Sequence, residues 1–203
     1  LDPPRFKRMA PFAGCLAASP WIIALNHTAR QTLLADPGWP DDPARGLALA
    51  RQLAMISYRA EPGMAMRDDR QQVGDGWAPR DPYRVQTWLE HQGQKLVARF
   101  DAQAYLCQLD AMDHHDVQRP QPGMAGDPLG RVTASCLAVG IDTDMLYLPA
   151  HSARTAQALQ ARGVHAEHAE IHSPFGHDAF LIEWAQLDGL LRRALALPPG
   201  GSP

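Results

Sequence analysis

The chain has 203 residues, a formal charge of −3 at pH 7 and 45% hydrophobic residues. This length supports one globular domain with a core of its own and disfavours two independent cores. A charge so close to neutral creates no long-range field for nucleic acid, and no apolar run approaches the roughly 18 residues that a helix needs to cross a bilayer. We therefore expect a soluble protein that binds neither nucleic acid nor a membrane.

The three cysteines, Cys15, Cys107 and Cys136, are odd in number, widely spaced and flanked by apolar residues. Buried thiols fit this pattern better than the alternative, a disulfide framework, and they indicate a reducing compartment. We expect a cytoplasmic protein. The first residue is Leu1 and no signal-like segment follows it, which indicates that the chain begins in mid-protein.

The first half of the chain predicts one short strand followed by helices. Residues 6–16 contain an apolar stretch that ends in small residues, as a buried strand running into a loop does, although proline is unusual inside a strand. Apolar residues at spacings of three and four then predict helices that end where Pro and Gly interrupt the pattern. These helices span residues 22–34, 46–58, 83–96 and 101–112.

The second half predicts alternating strands and helices. Residues 134–140 form a continuous run of small and apolar side chains, which is typical of a strand buried on both faces of a parallel sheet. A helix at 151–162, a strand at 168–171 and a helix at 181–197 complete a βαβ pattern. Residues 67–82 predict a loop from their Asp, Gln, Gly and Pro content. The segments we predict are core strand and loop 1–18, helical insert 19–117, linker 118–130 and α/β core 131–203.

An acid and a base follow the two predicted strands of this second half. Asp144 comes just after the first strand and His177 comes after the second. Ligands of parallel sheets bind at the carboxyl ends of strands, and acid before histidine is the order that α/β-hydrolases use after their nucleophile. The alternative is that Asp144 caps a turn and that His177 makes one structural hydrogen bond.

Other clusters of reactive residues give weaker evidence for a functional site. His114, His115 and Asp116 are adjacent, but neighbouring histidines on a helix point in different directions and no further ligand is spaced to help, so we predict no metal site. The five tryptophans are too dispersed for a nucleic-acid stacking platform, and we assign them to packing. Three further histidines before the His177 motif are expected to face solvent: His165, His168 and His172.

Four segments together resemble the homoserine O-acetyltransferase family, whose members are acyl-CoA-dependent transferases with the α/β-hydrolase fold. They are residues 45–51 with 56–59, then 89–106, 139–147 and 173–183, and the resemblance extends over nearly the whole chain. It implies an α/β fold, namely the C-terminal part of an α/β-hydrolase with a partial parallel sheet, flanking helices and a helical lid insert.

The resemblance also implies roles for individual residues. Asp144 matches the triad acid, His177 the general base, Arg51 the arginine that holds the amino-acid carboxylate, and Asp178 the carboxylate that receives the ammonium group. A planar guanidinium suits two-point binding of a carboxylate. Tyr58, about two helical turns after Arg51, would lie on the same helix face and line the tunnel in which the amino-acid substrate binds. The alternatives are a surface role for Arg51 and ordinary core packing for Tyr58.

The substrates that the resemblance implies are an acyl-CoA, either acetyl-CoA or succinyl-CoA, and an amino-acid alcohol, either L-homoserine or L-serine. No bound cofactor or metal is implied. Methionine biosynthesis and a homodimer formed through the helical lid are implied as well. Departures from the family pattern at Pro20, Trp21 and Ala104 leave the donor and the acceptor open.

The family's nucleophilic serine has no counterpart in these residues. None of the six serines stands in a Gly-x-Ser-x-Gly elbow, which the family places before the strand predicted at 6–16. We expect the isolated chain to be nearly inactive. Two alternatives are a truncated, non-catalytic relative that acts only as an association module, and an esterase-type hydrolase in which water replaces the acceptor alcohol.

Overall fold

The computed structural model describes residues 5–74, 78, 80–123 and 125–201. The chain divides into two compact units. The α/β unit combines Leu1–Ala18 with His115–Pro203, and the helical unit is Ser19–His114. Parts of the loop and linker predictions, at residues 75–77, 79 and 124, lie outside the described residues, and so does Trp77. None of the helices in the described ranges combines the length and the apolar character that crossing a bilayer requires.

Five helices make up the described part of the helical unit. Two of them begin at side-chain caps, since Ser19 accepts a hydrogen bond from the Ile22 amide and Asp101 accepts one from the Ala104 amide. The helices are α1 (Pro20–Leu34), α2 (Ala44–Ser57), α3 (Glu61–Asp68), α4 (Arg84–Val97) and α5 (Ala102–Asp113).

Helix α3 is absent from the sequence prediction, which treated Pro62 and Gly63 as a helix end. In the structure Pro62 lies in the first turn of α3, where a missing backbone N–H breaks no intrahelical hydrogen bond. Helix α2 already ends at Ser57, so Pro62 belongs to the start of α3 rather than to the end of α2. The loop predicted at 67–82 starts inside α3.

The core of the helical unit lies between α1, α2, α4 and α5. A Cβ built on Gly93 of α4 would lie 2.8 Å from the backbone oxygen of Ala48 on α2, so only glycine permits this close approach of the two helices. The buried apolar residues of this core are Ala29, Leu33, Leu47, Ala50, Leu96, Ala102 and Leu109.

The described residues of the α/β unit form a three-stranded parallel sheet in the order β1-β2-β3. The strands are β1 (Arg8–Met9), β2 (Ser135–Ile141) and β3 (Ala166–Ile171). Every residue of β2 is buried, as its apolar run predicts. Helix α6 (Pro149–Gln160) connects β2 to β3, and α7 (Trp184–Ala196) follows a 3₁₀ helix at Gly176–Leu181. The predicted partial parallel sheet with flanking helices is confirmed.

The boundaries of the elements in this unit differ from the sequence prediction by one to three residues, except in the first strand, where the difference is larger. The first strand is only two residues long, and after Pro11 the chain meets β2 through an isolated bridge between Phe12 and Val139. Ala13 then turns the backbone into the left-handed region with φ of 47°, which ends the extended run. The last helix starts at Trp184 rather than residue 181, because the residues before it form the 3₁₀ helix.

Candidate active site

Asp144 and His177 follow neighbouring strand ends of the α/β unit. Strands β2 and β3 are parallel, and their last residues, Ile141 and Ile171, are paired in register. The loops that leave these two strands therefore start side by side at one edge of the sheet.

The side chains of this pair are hydrogen-bonded, with 2.8 Å between His177 Nδ1 and Asp144 Oδ2. The Asp144 side chain is 0% exposed and that of His177 is 17% exposed. The second carboxylate oxygen, Oδ1, accepts hydrogen bonds from the amides of Leu146 at 2.8 Å and Tyr147 at 2.9 Å. A buried carboxylate with these donors is held in one orientation. It can fix the imidazole tautomer and stabilise an imidazolium, and proton exchange with a substrate would then run through Nε2.

Two aromatic rings flank the His177 imidazole. The Tyr147 ring lies 5.3 Å away between centroids, tilted by 31°. The Phe180 ring lies 5.6 Å away in an edge-on arrangement at 80°. Such contacts pack against the imidazole and restrict its rotation.

Asp178 follows His177 directly in the 3₁₀ helix Gly176–Leu181 and is half-buried. The short helix thus carries both the imidazole and the next carboxylate of the motif. Arg51 and Tyr58, the other two candidate residues, belong to the helical unit.

Within the helical unit, Arg51 and Tyr58 are in contact. The Arg51 Cζ atom lies 5.5 Å from the centroid of the Tyr58 ring, the geometry of a cation–π interaction. Tyr105 of α5 interacts electrostatically with both residues: its pKa is raised to about 12, mainly by burial and in smaller part by Tyr58, while Arg51 acts to lower it. The sequence places Tyr105 only on an apolar helix face, and nothing in its spacing predicts this proximity to Arg51.

The serines nearest in sequence to the candidate pair have structural roles. The Ser152 hydroxyl donates to the backbone oxygen of Val139 at 3.0 Å. The Ser173 hydroxyl donates to Glu183 Oε1 at 2.8 Å. Both protons are therefore committed to other acceptors.

The histidines considered for a metal site make backbone contacts instead. His114 Nδ1 lies 2.8 Å from the backbone oxygen of Asp110, and His115 Nε2 lies 2.9 Å from that of Cys15. Over the described ranges, no three His, Cys, Asp or Glu side chains are grouped so that they could hold a metal ion.

No protein-family model matches the chain. Among curated proteins it is similar to homoserine O-acetyltransferases at 34 to 43% identity. A relative from Thermus thermophilus is 43% identical over 192 residues, which cover 93% of this chain and 46% of the relative. The chain spans about half the length of the curated relatives it matches.

Solved structures show the same fold. A homoserine O-acetyltransferase from Bacillus anthracis superposes with a TM-score of 0.84 at 18% identity, over 97% of this chain and 54% of that one. A variant of esterase E22 superposes with a TM-score of 0.80 at 19% identity, over 94% of this chain and 55% of that one.

Proposed function

This chain belongs to the homoserine O-acetyltransferase family, and on that basis we propose that it supplies the acid–base half of a serine-dependent acyl-transfer site. One observation carries the proposal: His177 Nδ1 lies 2.8 Å from Asp144 Oδ2, and this carboxylate is fully buried. An ordinary ion pair on the surface would leave the carboxylate in contact with water. The pair has the geometry with which a histidine activates a nucleophilic hydroxyl.

The proposed reaction has two half-reactions, and in each of them His177 takes a proton and then gives it to the leaving group. In the first, the imidazole takes the proton of a serine hydroxyl as that oxygen attacks the thioester carbon of the acyl-CoA, and the imidazolium gives it to the CoA thiolate, which leaves as the thiol. In the second, the imidazole takes the proton of the acceptor hydroxyl as that oxygen attacks the acyl-serine, and the imidazolium gives it to the serine oxygen as the acyl–serine bond breaks. Asp144 stabilises the imidazolium in both steps. The serine comes from outside these 203 residues, since none of those present stands in a Gly-x-Ser-x-Gly elbow.

The substrate contacts belong to the same proposal. Arg51 binds the carboxylate of the acceptor, Asp178 binds its ammonium group, and Tyr58 supports the Arg51 guanidinium through its ring. Acetyl-CoA is the donor and L-homoserine the acceptor, with succinyl-CoA and L-serine as the alternatives. We place the protein in the cytoplasm, in methionine biosynthesis, as a homodimer formed through its helical unit.

An esterase is the second candidate. Esterase E22 has the same fold, and an acyl-serine can be released to water as well as to an alcohol. A non-catalytic association module is the third alternative. The acyltransferase transfers an acyl group to an alcohol, the esterase transfers it to water, and the association module transfers none.

A chimera separates these alternatives. The N-terminal part of the Thermus thermophilus relative, joined to this chain, would supply the Gly-x-Ser-x-Gly serine, and transfer from acetyl-CoA to homoserine would be followed by thiol release and mass spectrometry. We expect transfer in the chimera and none in the isolated chain. Asp144→Asn should lower kcat by about 10⁴-fold, because the imidazole loses its correct tautomer.

The control is His165→Gln, a change of an exposed histidine just before β3, which should leave kcat within about twofold. A folded chimera whose turnover survives His177→Ala contradicts the acid–base role. Hydrolysis without transfer favours the esterase, and a folded but inactive chimera favours the association module. Turnover by the isolated chain would show that the nucleophile lies within it.

A further inference from the structure

The turn at residues 173–176, which leads directly into His177, is hydrogen-bonded at both ends to one hydroxyl group. The Thr143 Oγ1 atom donates a hydrogen bond to the backbone oxygen of Ser173 at 2.6 Å. The same atom accepts a hydrogen bond from the Gly176 amide at 3.1 Å. Threonine has one donor and two acceptor positions on its hydroxyl, so both bonds can form together. The turn 173–176 ends immediately before His177, and its shape therefore sets the position of the imidazole.

Further contacts fix the start of this turn. The Ser173 amide donates to Asp142 Oδ1 at 3.0 Å. The Ser173 hydroxyl donates to Glu183 and accepts from the Phe175 amide at 3.2 Å. Ser173 is buried, at 6% exposure. Thr143 alone among these groups bonds to the last residue of the turn as well as the first, as far as the structure describes the chain.

Gly176 shows why the far end of the turn needs support. Its φ is 70°, a left-handed conformation that glycine adopts without a side-chain penalty but also leaves easily. The hydrogen bond from its amide to Thr143 restricts this freedom. Without it, the residue next to His177 could rotate, and the imidazole would move relative to Asp144.

Thr143 also lies between the two partners of the pair. It directly precedes Asp144 in the loop after β2, so its backbone moves with the carboxylate. Its hydroxyl meanwhile binds the turn 173–176 that precedes His177. We propose that Thr143 is a positioning residue that sets the distance between Asp144 and His177. This inference rests on the proposed role of His177 as general base, and it adds a residue that no part of that proposal uses.

The test measures the hydrogen bond of His177 directly in the 203-residue chain and needs no turnover. In an ¹⁵N-labelled sample, the Nδ1 proton of His177 gives a low-field resonance that His177→Gln assigns by its disappearance. In Thr143→Val, which keeps the shape and removes both bonds, we expect this proton to exchange with water at least about tenfold faster. In Thr143→Ser, which keeps the hydroxyl, we expect exchange within about twofold of the original rate.

Thr155→Val is the matched control, because its hydroxyl donates to the backbone oxygen of His151 inside α6 and holds no turn. Exchange of the His177 proton should be unchanged there. An unchanged rate in Thr143→Val, or an accelerated rate in a folded Thr143→Ser, would overturn the proposal. If Thr143→Val does not fold, the serine variant decides. Absence of the resonance in the original chain would count against the Asp144 bond itself, and so against the proposed function.

Discussion

At the scale of single residues, the sequence predicts that Asp144 and His177 lie close together, but it does not predict the neighbouring residues that contact the candidate site residues. Asp144 and His177 are predictable because each follows a strand end, and parallel strands bring those ends together. Thr143 and Tyr105 are not, because a hydroxyl that closes a turn and a phenol that approaches an arginine depend on tertiary distances. Periodicity reports which face of an element a residue occupies, and carries no information on such contacts.

Cysteine reactivity provides a prediction at this scale. Cys136 in β2 is 0% exposed, and burial raises the pKa of its thiol to about 11. Cys107 on α5 is exposed. At pH 8 only about one Cys136 thiol in a thousand would be a thiolate, and reagent access is blocked as well. Iodoacetamide should therefore label Cys107 at least about 100-fold faster than Cys136, as measured by peptide mass spectrometry over time.

Denaturation is the control for that measurement, since all the thiols should react at similar rates in guanidinium. Labelling of Cys136 as fast as Cys107 in buffer alone would contradict the buried position of β2.

At the scale of elements, long periodic segments are predictable and short ones are not. Helices α1, α2, α4 and α5 have repeated apolar positions, whereas α3 is eight residues long and begins with Glu61, Pro62 and Gly63. Proline and glycine usually signal a break, and only the placement of Pro62 in the first turn makes it compatible with a helix. Strand β1 is shorter than its apolar pattern predicts, because Pro11 and the left-handed Ala13 interrupt it.

The packing of α2 against α4 leads to a prediction about Gly93. A methyl group there would lie 2.8 Å from the Ala48 oxygen and 3.1 Å from its Cβ, so the two helices must separate. Gly93→Ala should lower the free energy of unfolding by about 1–3 kcal/mol despite the better helix propensity of alanine. Urea unfolding followed by circular dichroism measures this difference.

Gln94→Ala is the matched control, because the next position on α4 is exposed. It also introduces alanine and should change the free energy of unfolding by less than about 0.5 kcal/mol. Equal effects of the two substitutions would show that the helices can move apart at no cost.

At the scale of the whole molecule, carboxylates with lowered pKa values lie in both units. In the helical unit, hydrogen bonds from the backbone amides of Gly38 and Gly46 lower the pKa of Asp36 from its ordinary 3.8. In the α/β unit, the hydrogen bond from Arg193 lowers the pKa of Glu167 from its ordinary 4.5. Each unit is therefore more stable with these groups ionised.

Acid should therefore destabilise the protein, with a defined sign and range. A group whose folded pKa is depressed contributes stability that is complete above its unfolded pKa and is lost as pH falls through the folded pKa. The free energy of unfolding in urea should thus be flat with respect to these groups above about pH 5 and fall from about pH 4.5 downward. Asp36→Asn, which keeps only one acceptor oxygen, should flatten this decline in the helical unit. If the free energy of unfolding fell equally steeply with decreasing pH in that variant, Asp36 would not contribute to the acid sensitivity.

The fold class is predictable from the sequence because one change of pattern divides the chain. Helical spacing dominates up to α5, and the run of small and apolar side chains at 134–140 is typical of a strand buried on both faces, which the structure has at Ser135–Ile141. The division into a helical unit and an α/β unit built from two separate segments is harder to derive, because periodicity does not tell which distant segments pack together.

The pairing of Ile141 with Ile171 has a consequence for misfolded forms of the chain. A slip of β3 by one residue would carry the turn and His177 about 3.3 Å along the sheet and would exchange the two faces of β3, moving Ala166 and Ile171 out of the separate core clusters in which they are buried. A displacement of that size exceeds what a 2.8 Å hydrogen bond tolerates. A chain with a slipped sheet would thus lack the hydrogen bond between Asp144 and His177 and the low-field resonance that depends on it. The Nδ1 proton of His177 would therefore report whether β3 has paired in the correct register.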